Sequence, residues 1–512
     1  MRITNNMMMR NTKLNINGNK LNVNTLNNQM SSQKKIDKPS EDPIVAIRAL
    51  RLRSSLSQIN QYYEKNIPDA ETWFEVTETA LDNMCKILTD IHTQCVYGSN
   101  DTLGEDDRDT ILQQLQAMAD QVYAEGNADN AGRTIFTGYK TNTTLTFPNA
   151  AKEASYNINQ YFDSSAIEEQ TYCYNTLKTP SAQELEDAIA NGTVPEDPSS
   201  VSVQRIRFAY SGLSDLNSVS YTYTQNGVET TIDLKNPTNA ANYSEMTTAQ
   251  LEAIDYEVGE NAVVYNKETG ELLLGANVAK DIIAKGATLS VNYDKTGFDK
   301  GELKPEHYYD CTDKTDPDNE IVYKNYDENK QFVEQQINYM VAMNQTITVN
   351  TLAPNVFDSS IGRDVTELIG AVQSAIYAHD CVDEIKAMMK ETQYASPEMQ
   401  AKLGEYLEAA KRQMAYADDY MKKLYSNGVK RFDGYMQKVN LAITDIGNRG
   451  DRLDVIKTRM ETQQTTVKSL KSSNEDKELS DIIIDYTSAF TAYQSSLQAA
   501  AKLERQTLLD YL

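Results

Sequence analysis

Histidine, tryptophan and cysteine are scarce in this sequence of 512 residues, which contains three His, one Trp and five Cys. So few histidines disfavour general-base catalysis and transition-metal sites, because both rely heavily on this side chain. The cysteines are odd in number and lack paired short spacings, so they fit neither a disulfide framework nor a zinc site. We therefore expect no metal, no cofactor and reduced thiols at Cys85, Cys95, Cys173, Cys311 and Cys381.

Positive charge is also in short supply, since 49 Lys and Arg face 74 Asp and Glu and leave a net charge of −25. This balance disfavours binding to nucleic acid or to anionic lipid, which both need a basic surface. No stretch approaches the roughly 18 apolar residues of a membrane span. The first six residues lack the apolar segment of a secretory signal. We expect no nucleic-acid partner, no membrane and no cleaved signal peptide.

Three sets of residues resemble chemical sites but lack essential parts. His92 and Cys95, three residues apart on a helix, make half of a metal site with no second half. Adjacent residues 379–381, His-Asp-Cys, diverge by about 100° each on a helix and cannot align as a catalytic triad. An acidic run resembles a calcium loop, but Pro317 interrupts it and the turn glycine is missing. Its residues are Asp313, Asp316, Asp318 and Glu320. We predict no catalytic residue, no metal ligand and no enzyme.

The N-terminal 30 residues contain ten asparagines, and each costs a helix about 0.6 kcal/mol relative to Ala. Two apolar stripes nevertheless follow helical spacing, offset by about 200°. The first stripe is Ile3, Met7, Leu14 and Leu21, and the second is Met9, Ile16, Val23 and Met30. Stripes on opposite sides predict a segment that is disordered in the monomer and helical between neighbours. The alternative is a frayed terminus with scattered hydrophobic residues.

Long helices are predicted towards both ends of the chain. Ser40 is the expected N-cap of the first one after the N-terminal segment. Nine positions, eight of them apolar, then step by 3 and 4 as in a coiled coil. These are Ile67, Ala70, Phe74, Thr77, Leu81, Met84, Leu88, Ile91 and Cys95.

The C-terminal helical pattern predicts two apolar seams. The first seam consists of Leu453, Ile456, Met460, Gln463, Val467 and Leu470. It breaks at residues 472–476, and a second seam follows in a new register. The second seam consists of Leu479, Ile483, Tyr486, Phe490, Tyr493, Leu497 and Ala500. The apolar ending, with Leu508, Leu509 and Leu512, indicates a buried terminus.

Residues 148–345 lose the helical seam and read as an inserted β-rich domain. Residues 225–227, Gln-Asn-Gly, and residues 268–270, Glu-Thr-Gly, lie between strand-like runs and predict two hairpins. A further strand is predicted at 287–293 and a short returning strand within 346–358. Outside the insert, a basic cluster is either a solvated helix face or an interface with an acidic neighbour. It consists of Lys34, Lys35, Lys38, Arg48, Arg51 and Arg53.

Several segments resemble the bacterial flagellin family, in its hook-associated branch. They are Met1–Ile3 with Met7 and Met8, residues 31–53, Gly132–Tyr139, Asp445–Arg449 with Leu453, and Leu508–Leu512. The resemblance covers roughly residues 1–147 and 346–512. Gln33 stands where this family usually has Gly, and Glu41 where it usually has Asp. The insert carries no such resemblance.

The resemblance implies a mainly α, elongated, flagellin-like rod of long N- and C-terminal coiled-coil helices with an inserted β-rich (α+β) outer domain. It implies three parts: an assembly region of residues 1–60 with 475–512, a helical rod of 61–147 with 346–474, and the insert at 148–345. The implied subunit interface is apolar and terminal. Its residues are Ile3, Met7, Leu14, Leu21, Leu479, Ile483, Tyr486, Phe490, Tyr493, Leu497, Leu508, Leu509 and Leu512.

The resemblance also implies a function, namely a structural subunit at the hook–filament junction of an extracellular flagellum that is required for filament assembly and motility. The expected partners are further copies in a ring, hook-associated protein 1, flagellin, the flagellar type III export apparatus and a cytoplasmic export chaperone. A minor filament flagellin is one alternative. Another is that the insert is a binding or enzymatic domain displayed on the flagellum.

Overall fold

The computed structural model describes residues 5–99, 104–119, 121–225, 227–236, 242–328 and 330–505. Long helices occupy both ends of the chain and strands dominate its middle, which confirms the predicted fold class. Within the described residues the helices are α1 (Asn5–Ser32), α2 (Pro43–Gln61), α3 (Ile67–Gly98), α4 (Glu105–Ala119), α5 (Ala182–Asn191), α6 (Thr248–Glu252), α7 (Ala276–Lys285), α8 (Ala353–Val356), α9 (Ser360–Met388), α10 (Pro397–Glu475) and α11 (Leu479–Arg505).

The strands fall almost entirely between α4 and α8. They are β1 (Asp129–Asn130), β2 (Arg133–Thr134), β3 (Ala151–Phe162), β4 (Glu168–Tyr174), β5 (Ser199–Arg207), β6 (Leu216–Gln225), β7 (Val228–Asp233), β8 (Asn242–Met246), β9 (Ala262–Asn266), β10 (Glu271–Leu274), β11 (Thr288–Phe298), β12 (Asp310–Asp313), β13 (Ile321–Tyr323), β14 (Asn338–Ala342) and β15 (Gln345–Thr348). Pairing of β6 with β7 and of β9 with β10 confirms both predicted hairpins. After β15 the chain turns into the short helix α8, so the predicted strand at 346–358 is only partly correct.

The chain divides into two compact units. The first contains residues 1–71, 338–347 and 449–512, and the second contains residues 72–337 and 348–448. The three-part division expected from the sequence, with its boundaries at 147/148 and 345/346, stays a prediction.

In the first unit, α1 packs along α11, while α2 is followed by a π-helical turn, Tyr62–Asn66. The hairpin β14–β15 lies against this turn, where Asn66 Nδ2 donates to the carbonyl of Met340 at 2.7 Å. The end of α10 is held by Gln464, whose Nε2 donates to Asn60 at 2.9 Å and to Glu64 at 3.0 Å. A polar contact therefore replaces part of the apolar seam that the sequence predicts here.

The two predicted helical seams differ in accuracy. All nine predicted positions between Ile67 and Cys95 are buried, which confirms that seam. On α10, Leu453, Ile456 and Met460 are buried as expected, but Gln464 is buried in place of Gln463. Leu470 is correspondingly exposed. The buried stripe steps by four at Met460 because an undistorted helix has 3.6 residues per turn and drifts out of a strict heptad.

In the second unit, two sheets pack with helices α3, α4, α9 and α10. The larger sheet has the order β13-β12-β3-β11-β6-β7, and the smaller has the order β4-β5-β10-β9-β8. All these pairs are antiparallel except β8 with β9. Aromatic rings fill the core, as shown by Phe208 stacked on Tyr293 with 5.3 Å between the ring centroids. Polar and apolar residues alternate along β3 and β11, so one face of the sheet is buried and the other is partly exposed to solvent.

A buried charge network joins the smaller sheet to two helices of the same unit. Arg205 on β5 contacts Glu271 at 2.5 Å and Glu367 on α9 at 2.7 Å. Asp364 on α9 accepts from Arg207 of β5 and from Arg431 of α10, the latter at 2.7 Å. Because buried charges are tolerated only when paired, this network fixes the sheet to the helices.

Candidate assembly surface

Helices α1 and α11 cover each other along one face only. On α1, Ile16, Val23 and Met30 of the second predicted stripe are half-buried, whereas its first member, Met9, is exposed. On α11, Ile482 is fully buried, and Tyr486 and Tyr493 are half-buried. One of the two opposed stripes therefore has its partner within the same chain, as an amphipathic helix pair requires. The predicted disorder of this segment in the monomer stays a prediction.

The other stripe of α1 faces away from α11. Leu14 is 63 % exposed, Leu21 is 67 % exposed, and Met7 is likewise exposed. Ile3, the fourth predicted member of this stripe, lies outside the described residues. Large exposed apolar side chains on one helix face are typical of protein interaction sites. The predicted interface role of Met7, Leu14 and Leu21 stays a prediction.

Most residues of the second predicted seam on α11 lie outside the contact between α1 and α11. Leu479, Ile483, Phe490 and Leu497 are exposed. The line that faces α1 is shifted, and its residues are Ile482, Tyr486, Ala489, Tyr493, Ser496 and Ala500. Sequence reasoning missed Ile482 and Ala489 because several apolar residues adjoin them and periodicity alone does not choose among overlapping registers. Leu508, Leu509 and Leu512 lie outside the described residues.

The joint between α10 and α11 is held by the segment that precedes α2. Arg53 donates two hydrogen bonds to Glu475, from Nε to Oε1 at 2.8 Å and from Nη2 to Oε2 at 2.7 Å. Lys34 pairs with Asp476. These bonds hold the pKa values of both carboxyls below their usual values, Glu475 mainly through Arg53 and Asp476 mainly through Lys34. Helix α10 ends at Glu475 and α11 begins at Leu479. The break between the helices therefore lies at 476–478, at the C-terminal end of the predicted range 472–476.

Backbone hydrogen bonds complete this joint. The Lys35 amide donates to the Glu475 carbonyl at 2.8 Å, and the Lys477 amide donates to the Gln33 carbonyl at 3.1 Å. Gln33 has a φ of 53°, in the left-handed region that favours glycine. Gln33 therefore adopts a backbone geometry typical of glycine although it carries a side chain.

Helix α2 begins two residues later than the sequence suggests. Asp42, not Ser40, is the N-cap, since its Oδ1 accepts from the amides of Ile44 at 2.9 Å and Val45 at 3.1 Å. Pro43 takes the first helical position, where its missing N–H has no intrahelical partner anyway. Two members of the basic cluster, Lys34 and Arg53, form ion pairs with carboxylates of the same chain, Asp476 and Glu475.

The residues that resembled chemical sites lie in helices and loops without a shared centre. His92 contacts Asp433 at 3.4 Å, and His379 contacts Asp418 at 3.1 Å. Burial raises the pKa of the Cys95 thiol to about 12, which favours the protonated form over the nucleophilic thiolate. Across the described ranges, no group of three or more His, Cys, Asp or Glu side chains is placed to hold a metal ion. The helices described here include none long and apolar enough to cross a membrane.

Comparison with known proteins gives a family match at the N-terminus. Residues 3–141 match the bacterial flagellin N-terminal helical region. The flagellar hook-associated protein 3 of Escherichia coli K12 is 35% identical over 116 residues, which are 22% of this chain and 36% of that protein. The protein of the same name from Salmonella typhimurium LT2 is 33% identical over 142 residues, which are 28% of this chain and 44% of that protein. This chain thus spans less than half of either relative.

Two solved structures also align with the chain. The flagellar junction protein FlgL from Legionella pneumophila is 10% identical with a TM-score of 0.27, and the alignment covers 85% of this chain and 100% of that one. FlgL from Xanthomonas campestris is 13% identical with a TM-score of 0.26, and the alignment covers 83% of this chain and 99% of that one.

Proposed function

Because residues 3–141 relate this chain to the bacterial flagellin family, we propose that it is a structural subunit of the flagellum that forms the hook–filament junction. In this role its copies assemble side by side through their terminal helices. One side of the assembly meets hook-associated protein 1 and the other meets flagellin. Filament growth and motility then depend on the chain.

The observation that carries this proposal is the outward apolar face of the α1–α11 pair. Leu14 and Leu21 on α1 and Phe490 on α11 are exposed although each is large and apolar. A fully buried Leu contributes about 2 kcal/mol, so contact with neighbouring copies would stabilise the assembly substantially. Helix α1 lies within the segment that matches the family model. This arrangement supports a subunit whose contacts are completed by assembly.

The proposed role includes export from the cell through the flagellar type III apparatus, without a cleaved signal. A chain whose terminal helices expose apolar stripes is prone to associate before it reaches its destination. We therefore include a cytoplasmic export chaperone, which covers the C-terminal helix from Leu479 onwards, among its partners. The final location is the extracellular flagellum.

Immunogold electron microscopy of intact flagella tests the proposal directly. The antibody is raised against residues 148–345, which lie outside the N-terminal family match. We expect one narrow band of label where hook meets filament. Label along the whole filament would instead identify a filament flagellin, and flagella without label would overturn the flagellar role. A strain that lacks the gene is the control for antibody specificity.

A further inference from the structure

Helix α2 carries an apolar face that its own unit leaves uncovered. Ile44 is 75 % exposed, Ile47 is 54 % exposed and Leu50 is 64 % exposed. Residues three apart share one side of a helix, so these three side chains form a continuous stripe. The opposite side of α2 is the packed one, where Ala46 and Ala49 are buried. An exposed stripe of this size on a well-packed helix indicates a docking surface.

The charge on this face is entirely positive. Helix α2 contains three arginines and no acidic residue. Arg53 is committed to Glu475, whereas Arg48 and Arg51 are exposed and lie beside Ile44 and Ile47 on the helix surface. Among the described residues, no ion pair to Arg48 or Arg51 lies within 4 Å. The partner of this face is therefore expected to be both apolar and acidic.

Two other exposed apolar surfaces of the same unit carry the wrong charge. The outer stripe of α1, with Leu14 and Leu21, lies on a helix that has three basic residues and no acidic one. Leu470 on α10 is flanked by Lys468 and Lys471. Either surface would bring like charges against Arg48 and Arg51, which disfavours contact.

The beginning of α11 has the complementary character. Ile483 and Ile484 are exposed there, next to the exposed carboxylates of Glu478 and Asp481. Glu478 and Asp481 are three residues apart, as are Arg48 and Arg51, so both charge pairs have the spacing of one helix face. Asp485 is already paired with Lys477 at 2.7 Å and is not needed for this match.

We propose that the α2 face, formed by Ile44, Ile47, Arg48, Leu50 and Arg51, docks on a second copy of this chain at residues 478–484, which comprise Glu478 and the first turns of α11. The inference rests on the self-assembly in the proposed function and names one of its contacts. Such a contact is heterologous when the α2 face and the α11 segment of one copy engage two different neighbours, which is the arrangement proposed here. Heterologous contacts propagate and close into a ring when the rotation fits, whereas a symmetric pair would stop at two copies.

Photo-crosslinking maps the contact in the full-length chain. A photoreactive amino acid replaces Leu50, and heavy-isotope and normal copies are mixed, assembled and irradiated. We expect mixed-isotope cross-links between position 50 and residues 478–484. Cross-links from position 50 to α1 or to α10 of another copy would overturn the assignment, as would purely intrachain products.

Charge reversal tests the electrostatic part. We expect R48E/R51E and E478K/D481K each to weaken self-association at least tenfold, and the quadruple variant to recover most of it. S57E/Q58E adds two charges to exposed positions of α2 that lie about two turns C-terminal to Arg51, beyond the five residues of the proposed contact, and serves as the matched control. A quadruple variant no better than the doubles would contradict the pairing. If immunogold label marks the junction and the chain self-associates, but this cross-link is absent, the docking proposal alone is overturned. If junction labelling and self-association are both absent, the proposed function is overturned as well.

Discussion

Arg53 on α2 donates two parallel hydrogen bonds, of 2.8 and 2.7 Å, to the carboxylate of Glu475, the last residue of α10. The two residues are 422 positions apart, and Glu475 is only 5 % exposed. A fork-to-fork pair of this kind fixes direction as well as distance. It therefore sets the angle at which the N-terminal segment meets the start of α11, the element on which the proposed assembly contacts depend.

The first prediction concerns this pair. We expect Arg53→Met to destabilise the joint by about 1–2 kcal/mol, at the lower end for a charged hydrogen bond because Arg53 is itself half-exposed. Hydrogen exchange measures the effect, since the Lys35 and Lys477 amides, both bonded across the joint, should exchange faster. Arg452→Met, an exposed arginine on α10, is the control and should leave both amides unchanged.

The same joint gives a dependence on pH with a defined sign. Arg53 and Lys34 lower the folded-state pKa values of Glu475 and Asp476. Their stabilisation is therefore complete above the usual carboxyl pKa and is lost as the pH falls through the lowered folded-state values. Protection of Lys35 and Lys477 should decline in acid in the wild type and decline less in Arg53→Met. An equal decline in both chains would contradict the assignment.

The second prediction concerns the backbone at Gln33. A non-glycine residue in the left-handed region costs about 1 kcal/mol, so Gln33→Gly should stabilise the joint by roughly 0.5–1 kcal/mol. The identical change at Gln58, exposed within α2, should destabilise by about 1 kcal/mol, because glycine weakens a helix interior. Amide exchange at Lys477 and thermal unfolding distinguish the two signs. Destabilisation by both changes would refute the strain at Gln33.

The third prediction concerns the buried charge network in the second unit. Asp364 accepts from Tyr435 and Arg431, both at 2.7 Å, as well as from Arg207. Burial alone would raise the pKa of Asp364, but the two arginines outweigh it and hold this pKa below its usual value. Asp364 is buried, whereas the side chains of Arg207 and Arg431 are 9 % and 30 % exposed. Asp364→Asn leaves both guanidinium groups without a full counter-charge and should cost about 3 kcal/mol.

Fluorescence of Trp73, the single tryptophan and a fully buried residue of the same unit, reports the unfolding of the Asp364→Asn variant. Asp383→Asn on the same helix is the control, because Asp383 is largely exposed and pairs with Lys386 at 2.8 Å. It should shift the unfolding midpoint little. Equal shifts in the two variants would mean that the network contributes nothing beyond a surface pair.

Local signals made much of the fold predictable from the sequence. The step of 3 and 4 from Ile67 to Cys95 required burial on one side of one helix, and the hairpin turn at Gly227 required close antiparallel strands. The buried network was not predictable, since Arg205 and Glu367 are 162 residues apart and nothing in either local sequence specifies the other. The same limit applies to Arg53 and Glu475.

The assembly surface was predictable in its elements but not in its register. Both stripes of α1 could be read from spacing, yet only the packed structure distinguishes Val23, which faces α11, from Leu21, which faces outward. On α11 the residues 482–484 are three consecutive isoleucines, so any of three registers buries an Ile. Choosing Ile482 required the position of α1, which is a tertiary fact.

The fourth prediction separates the outer face of α1 from its inner face. We expect Leu14→Gln to leave the α1–α11 pair intact, because Leu14 is exposed, but to reduce filament assembly and swimming at least severalfold. Ile16→Gln should loosen the pair itself, because Ile16 is half-buried against α11. Hydrogen exchange in α11 and swimming assays together distinguish the two effects. Asn15→Gln, which replaces one exposed polar side chain by another, is the control. Normal swimming of Leu14→Gln would exclude an outer-face contact.

The fifth prediction concerns the proposed export chaperone. A chaperone that prevents premature association must cover the apolar side chains that assembly later buries, and Phe490 and Leu497 on α11 are such residues. Deletion of residues 479–512 should abolish co-purification with the chaperone. The pair F490Q/L497Q should weaken binding at least tenfold, whereas Q494A, exposed on the same helix, should not. If binding survives the deletion, the chaperone site lies elsewhere in the chain. Helix α1, with Leu14 and Leu21 exposed, would then be the apolar surface that needs protection before export.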